Sequence, residues 1–371
     1  MSELHEARAT LGRMRNAAMG FMENLTGEQR ARALFPFDDE AERRDWDFVP
    51  KQGRNGLPIK DMDYRQQQLA HFLITAGLST PAYAKVVTIM AFESVLRELQ
   101  KERMGLSAAD FRSPGLYFLS VFGRPNNDET WGWRFVGHHV SLSYTIVEGK
   151  YLAPTPCLFG AEPAEYGVFH PLKEDEALGF DLLHSLGEAQ RQRAVIHEVA
   201  PPNFVTRVIP RIGQEELPEV YELGFDHYRI TDDDRQILKY VRTQPKGLPA
   251  ADMDEAQRAK LMAVIECFVN RMPEEVATKH LEKVQRAGLE NFFFAWAGGQ
   301  EWHTPHYFRV QGPAFLIELE NAQSGGNHVH AVWRDPDDDF GHDLLLEHYR
   351  LDHRPGDLPV RFGRVTSSMP L

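Results

Sequence analysis

Cysteine is nearly missing from this chain of 371 residues: there are two, Cys157 and Cys267, and neither belongs to a CxxC pair. That scarcity excludes a disulfide framework and fits a reducing compartment. Both cysteines read as small buried apolar residues rather than nucleophiles. Long hydrophobic runs are missing too. No stretch of 18 apolar residues occurs, and the polar start Met1-Ser2-Glu3-Leu4-His5-Glu6 holds no signal core, so a soluble, cytoplasmic protein is expected with no membrane partner. An excess of basic residues is also lacking. Lys and Arg number 41 against 54 Asp and Glu, a formal net charge of −13, which argues against a broad nucleic-acid footprint. The familiar signatures of nucleotide and hydrolase chemistry are absent: no P-loop, no GxGxxG, no GxSxG and no HExxH. What remains is an ordinary globular composition, 42% apolar and 26% charged, in a chain long enough to bury a large core.

Helical periodicity runs from Leu4 to Phe35, with a break at Asn24-Leu25-Thr26-Gly27-Glu28 and Thr26 capping the next helix. Asp61-Met62-Asp63 opens another helix, and a further one spans about Pro81 to Leu99. The pattern then changes to β-prone runs at 116–123 and 133–147, separated by the turn residues Gly123-Arg124-Pro125-Asn126-Asn127-Asp128. Helix returns over 174–198, 232–241 and 253–287, and strand over 291–297 and 307–320.

This order, helices then strands, occurs twice. Gly56-Leu57-Pro58-Ile59-Lys60-Asp61-Met62-Asp63 matches Gly247-Leu248-Pro249-Ala250-Ala251-Asp252-Met253-Asp254, and Gln66 matches Gln257 at the same offset. Further on, Gly123, Arg134 and Gly137 match Gly298, Arg309 and Gly312 at one constant offset. The expected architecture is α+β: two similar fused halves, residues 1–170 and 171–371, each of helices followed by antiparallel strands, sharing one core in a single pseudo-symmetric unit over 1–371.

Seven of the sixteen histidines lie between His303 and His353. Among them, Gly325-Gly326-Asn327-His328-Val329-His330 places two imidazoles on one face of a strand, because alternate side chains of a strand project the same way. That is half of a transition-metal site. Strand parity in the first half puts His139 with Trp133, Phe135, Ser141 and Ser143, and His138 on the opposite face. The repeat offset sets Ser143 against Glu318, so Glu318 and Glu320 share the face equivalent to that of His139. A pseudo-twofold meeting of the halves would bring His139, Glu318, His328 and His330 together. His138 and His139 map onto Pro313 and Ala314, and the first half has no counterpart of His328 and His330, which favours one asymmetric site over two symmetric ones.

His138 is expected to pair with a carboxylate or buried backbone, although it competes with His139 as the ligand. His303 and His306 fall in a turn. Asp339 could reach the HxH strand or cap the helix expected from Gly341, on which His348 packs. Asp335-Pro336-Asp337-Asp338-Asp339 reads as a solvated turn. Trp133 and Phe135 read as core. Arg134 and its repeat mate Arg309 require partners if buried, either a structural carboxylate or an anionic substrate.

These same segments resemble the family known as domain of unknown function number 3500. The resemblance covers most of the chain and is strongest in Trp131-Gly132-Trp133-Arg134-Phe135-Val136-Gly137-His138-His139-Val140-Ser141-Leu142-Ser143, Phe159-Gly160-Ala161-Glu162-Pro163-Ala164, Tyr307-Phe308-Arg309-Val310-Gln311-Gly312-Pro313, Asn327-His328-Val329-His330-Ala331-Val332-Trp333-Arg334-Asp335 and Asp339-Phe340-Gly341-His342-Asp343. It implies no reaction, so the functional expectation rests on the residues. A divalent transition metal, zinc first and copper or iron after it, is expected on His139, His328 and His330. Glu318 is expected as base or further ligand, Asp339 beside it, and Arg134 or Arg309 as the neutraliser of substrate charge. The leading expectation is metal-assisted hydrolysis of a small organic substrate. The alternatives are a copper or iron oxidoreductase on the same ligands and a non-catalytic duplicated binding protein. Homo-oligomerisation is left open.

Overall fold

The computed structural model describes residues 7–51, 53–104, 111–126, 129–212 and 231–345. Its centre is a 13-stranded mixed sheet. In chain order the strands are β1 (Leu34–Phe35), β2 (Leu57–Pro58), β3 (Phe118–Phe122), β4 (Trp131–Gly137), β5 (Val140–Val147), β6 (Tyr151–Ala153), β7 (Cys157–Ala161), β8 (Val195–His197), β9 (Leu248–Pro249), β10 (Phe293–Gly298), β11 (His306–Gly312), β12 (Phe315–Asn321) and β13 (Val329–Arg334). The main path across the sheet is β1-β3-β4-β5-β7-β13-β12-β11-β10-β8, with β2, β6 and β9 attached to β3, β5 and β10. All pairings are antiparallel except β1 with β3 and β8 with β10. The fold is therefore α+β, as the sequence pattern predicts, and the early and late strands join at the β7–β13 pair in mid-sheet.

The two faces of this sheet differ in chemistry. One carries Trp133, Phe135, Leu142, Tyr144, Phe159, Ala331, Trp333, Leu319, Phe308 and Val310, and packs beneath the helices in one apolar core. Burying each such large side chain contributes about 1.5–3 kcal/mol. Trp133 and Phe135 are core residues here, as expected, and Trp133 stacks on Tyr144 at 4.2 Å between ring centroids. Alternation puts Ser120, Arg134, Ser141, Ser143, Arg309, Glu318, Glu320, His330 and Arg334 on the other face, all buried. Largely irregular segments cover that face, contributing Trp46, Phe48, Phe204 and Phe340 to one apolar cluster and Ile212 and Tyr240 to another. Buried polar groups need partners, so this face is where chemistry or compensating hydrogen bonds must be found.

Local signals set the helix starts. Thr26, Asp63 and Asp254 each cap a helix and each forms a reciprocal capping box with the glutamine three residues on. Two expected helices are divided. The 253–287 stretch forms Glu255–Val269 and Glu274–Ala287, split before Pro273, which caps the second and has no N–H to continue the first. The 174–198 stretch forms Lys173–Ser185 and Glu188–Ala194 before turning into β8. The expected continuous run over 133–147 is a hairpin: β4 ends at Gly137, β5 begins at Val140, and His138-His139 is the turn. No helix among the described residues is long and apolar enough to cross a membrane. His348 lies outside the described residues.

Candidate metal centre

The hairpin turn between β4 and β5 supplies the first histidine. In a two-residue hairpin the backbone must adopt positive φ, and His139 does so at +63°. A non-glycine residue there costs on the order of 1 kcal/mol, which the surroundings must offset. They do so by fixing the peptide on both sides: His139 N–H donates to the Phe48 carbonyl at 3.0 Å, and its carbonyl accepts from Gly160 N–H at 2.7 Å. The parity reasoning that set His139 on a strand face therefore does not apply, because the residue sits in the turn.

The second and third histidines flank the start of β13. His330 lies in the strand and His328 immediately before it. The His328 N–H donates to Asn321 Oδ1 at 2.9 Å, which ties the approach of β13 to the end of β12. One ligand atom from each of His139, His328 and His330 lies within 4.8 Å of the other two. Nε2 of His139 and Nε2 of His328 are 2.9 Å apart, although the residues are 189 positions apart in sequence. Gly160 makes room for this. A Cβ built there would stand 3.0 Å from Cδ2 of both His139 and His330 and 2.9 Å from the Val329 carbonyl.

Carboxylates hold the imidazoles from behind. Glu320 is the direct cross-strand partner of His330, and its Oε2 is 2.8 Å from His330 Nδ1. Glu320 is fully buried and also accepts from Ala322 N–H. Burial pushes its carboxyl well above the usual range. Burial likewise pushes His328 and His330 down to about 3 and His139 well below its ordinary value, helped for His139 and His328 by their neighbouring imidazoles. The three rings are thus neutral near pH 7, the state in which imidazole binds a metal. Phe48 packs on His330 at 4.7 Å between ring centroids, closing the inner side.

Glu162 stands at the outer lip. Its Oε1 is 3.8 Å from His328 Nδ1 and its Oε2 is 3.8 Å from Arg112 Nη2. With its side chain 20% exposed against 0% for Glu320, Glu162 is the carboxylate of this group that solvent reaches. Behind the lip, the His138 ring packs against His139, tilted by 31° at 3.6 Å between centroids, and bonds through Nδ1 to Glu93 Oε1 at 2.5 Å. Burial pushes Glu93 up to about 8 and His138 well down, with Arg112 adding to the fall at His138. His138 pairs with a carboxylate, as expected.

The structure gathers His139, His328 and His330 and places the other expected residues elsewhere. Glu318 neighbours the centre along β12, but its carboxylate accepts from Val205 N–H at 2.6 Å, Thr206 N–H at 3.1 Å, the Thr206 hydroxyl and the Tyr307 hydroxyl at 2.9 Å. Four donors fill its four lone-pair positions, so it clamps the covering segment. Arg134 donates to the carbonyls of Glu42 and Asp45 and pairs with the Glu42 carboxylate at 2.5 Å. Arg309 donates to the Leu238 carbonyl at 2.8 Å, on the far side of Glu318 from the triad. Asp339 accepts from Arg334 Nε at 2.7 Å and Asp335 N–H at 3.0 Å, closing the turn after β13. That turn is not a solvated acidic loop: Asp335 is buried and paired with Lys283. His303 is exposed, whereas His306 is buried in β11 beside Glu176.

The sequence pattern puts Glu320 on this face beside Glu318, the expected base, and carries no sign of Glu162, Glu93 or Arg112. A signal for Glu320 was present. A hairpin turning about Gly325-Gly326 pairs position 320 with 330 or 331, not 318. Glu93 and Arg112 had no signal, because nothing local marks a helix or loop residue that reaches a distant turn.

The family model described as "Protein of unknown function (DUF3500)" matches residues 7–342, and the chain belongs to that family. No curated protein and no solved structure matches the chain.

Proposed function

We propose that this member of a family with no assigned reaction is a metal-dependent enzyme whose metal sits on His139, His328 and His330. The observation that carries the reading is the convergence of three neutral imidazoles, two buried and one half-buried, on one point, one of them backed by a buried carboxylate. Three neutral nitrogen donors with a fourth position left for water is a common catalytic zinc arrangement, and the Glu320–His330 pair is the outer-shell support such ligands use. With Nδ1 committed to Glu320, His330 offers Nε2. His139 and His328 already direct Nε2 at each other.

Hydrolysis is the favoured chemistry. A zinc ion there would supply a water made acidic enough to ionise near neutral pH. Glu162, partly exposed and beside His328, is the group able to take or return a proton at the lip. Arg112, beside Glu162, supplies positive charge there and fits a small anionic substrate. Glu318 and Asp339 act as clamps of the covering segments in this reading, and Arg134 as an anchor.

We also read the chain as an internal duplication. Supporting it, Gln29 and Gln66 bond each other and reach the carbonyls of Asp61 and Asn24, while Gln190 and Gln257 do the same with Asp252 and Ser185. The turns 138–139 and 313–314 also close hairpins of like register.

Elemental analysis of the purified, untagged protein beside a His328→Ala/His330→Ala variant tests the site. The expected result is about one equivalent of metal, lost in a folded variant. No metal after loading with zinc, copper and iron in turn would overturn it. For the zinc-loaded protein, hydrolysis of 4-nitrophenyl acetate should fall about 100-fold or more in Glu162→Gln with metal content unchanged. Bound copper or iron with no esterase activity would replace hydrolysis by redox chemistry.

A further inference from the structure

On the same sheet face, beyond Glu318 from the histidines, lies a second group of polar side chains that the metal centre does not use. Arg309 is 1% exposed, so its guanidinium is a cation removed from water. Such a charge is expensive to bury unless it is paired. Yet Arg309 forms no ion pair with any described residue. Its Nη1 donates to the Leu238 carbonyl, while Nε and Nη2 have no hydrogen-bond partner among the described residues. Those two N–H groups form the side-on edge of the guanidinium, the edge that grips an oxyanion with two parallel hydrogen bonds. The nearby carboxylate, Glu318, is saturated by its four donors. The Tyr307 phenol, on the same face of β11, donates its proton to Glu318.

The neighbours of that edge repeat the observation. Leu316 is the direct partner of Gln311 on one side and of Arg334 on the other, and Tyr240 packs on it. Arg309 and Gln311 share this face of β11. The Tyr240 hydroxyl, Gln311 Oε1 and Arg334 Nη1 are all buried and all lack a partner among the described residues. Arg334 is otherwise engaged: Nε with Asp339 and Nη2 with the carbonyls of Ile209 and Pro210. Arg309 reaches the Leu238 carbonyl, two residues before Tyr240, and Tyr240 packs on Leu316, the cross-strand partner of Arg334, so the three groups are neighbours on this face. Arg309, Arg334 and Tyr240 all present donors, and Gln311 presents the single acceptor.

We propose that Arg309, Arg334 and Tyr240 enclose a buried site for a small oxyanion, carboxylate or tetrahedral, gripped by the Nε–Nη2 edge of Arg309. The bound ion neutralises the Arg309 charge and accepts from Arg334 Nη1 and the Tyr240 hydroxyl. It lies apart from the histidine centre and serves the packing of the covering segments on β11–β13. This site does not depend on the metal reading.

The test uses the full chain equilibrated with sulfate or with acetate, the two arms separating a tetrahedral oxyanion from a carboxylate. Saturable stabilisation by one of them is expected in wild type. In Tyr240→Phe the affinity should drop about tenfold, a difference of about 1.4 kcal/mol. Because that hydroxyl bonds no described residue, Tyr240→Phe should unfold no earlier than wild type without the anion. Arg309→Lys, which keeps the charge but loses the edge, should abolish the saturable response. A crystal soaked in selenate should show an anomalous peak on Nε and Nη2 of Arg309. Water alone at that edge, a side chain of this protein closing it, or an affinity unchanged in Tyr240→Phe would each overturn the proposal.

Discussion

Glu320 and His330 face each other across β12 and β13 as a direct pair, and their side chains share a proton over 2.8 Å. In the metal-bound form that proton belongs on His330 Nδ1, which turns Nε2 toward the other two histidines. Glu320→Gln should therefore weaken zinc affinity by about 10- to 100-fold while leaving one equivalent at saturation. Competition with a chelator of known affinity measures this, and an unchanged affinity would remove Glu320 from the site.

Gly160 is the neighbour that cannot gain a side chain. Its Cβ would approach the imidazoles of His139 and His330 and the Val329 carbonyl, all within 3.0 Å. Gly160→Ala should destabilise the metal-free protein by about 1–3 kcal/mol and loosen metal binding as well, because the rings must shift. Urea unfolding and metal titration of the variant read the two effects separately. A variant as stable as wild type with full affinity contradicts the packing described.

The metal-free protein should lose stability in acid through its neutral imidazoles. His328 is ordinary in the unfolded chain, near 6.5, and pushed down to about 3 in the fold, by burial first. Between those values the unfolded state binds the proton and the native state does not, so stability is present above about 6.5 and falls as the pH drops. Removing one such group, as in His328→Gln, should flatten the slope by about one proton, or about 1.4 kcal/mol per pH unit. Glu93, pushed up to about 8, acts with the opposite sign, its contribution being lost as pH rises, but it is common to both proteins and cancels in the comparison. Denaturant unfolding at pH 7.5, 6 and 5 decides the matter. Parallel curves for the two proteins would mean that His328 is not neutral in the native state.

Glu318 and Arg134 should behave as structural groups. Glu318→Gln puts an amide against two backbone N–H donors, and Arg134→Met leaves the Glu42 carboxylate without its cation. Each should cost about 2–4 kcal/mol of stability, and each should still bind one equivalent of metal. Loss of metal from a folded Glu318→Gln protein would return Glu318 to the ligand set.

Local structure and part of the site are legible in the residues alone. Thr26 and Asp63 marked helix starts because a capping side chain acts within its own turn. Alternation separated Trp133 and Phe135 from Arg134 because a strand has only two faces. The HxH spacing set His328 and His330 on one side of the chain for the same reason, whereas the strand parity assigned to His139 does not hold in the turn where it sits. Tertiary structure decided what depends on distant chain segments. It placed His139 in a left-handed turn rather than on a strand, brought its ring to 2.9 Å from His328, and set Glu320 rather than Glu318 behind His330. It also recruited Glu93, Arg112 and Glu162 around the turn. These are contacts between residues tens to hundreds of positions apart. They are set by sheet register and by which covering segment saturates which buried polar group, and neither propensity nor periodicity carries that information.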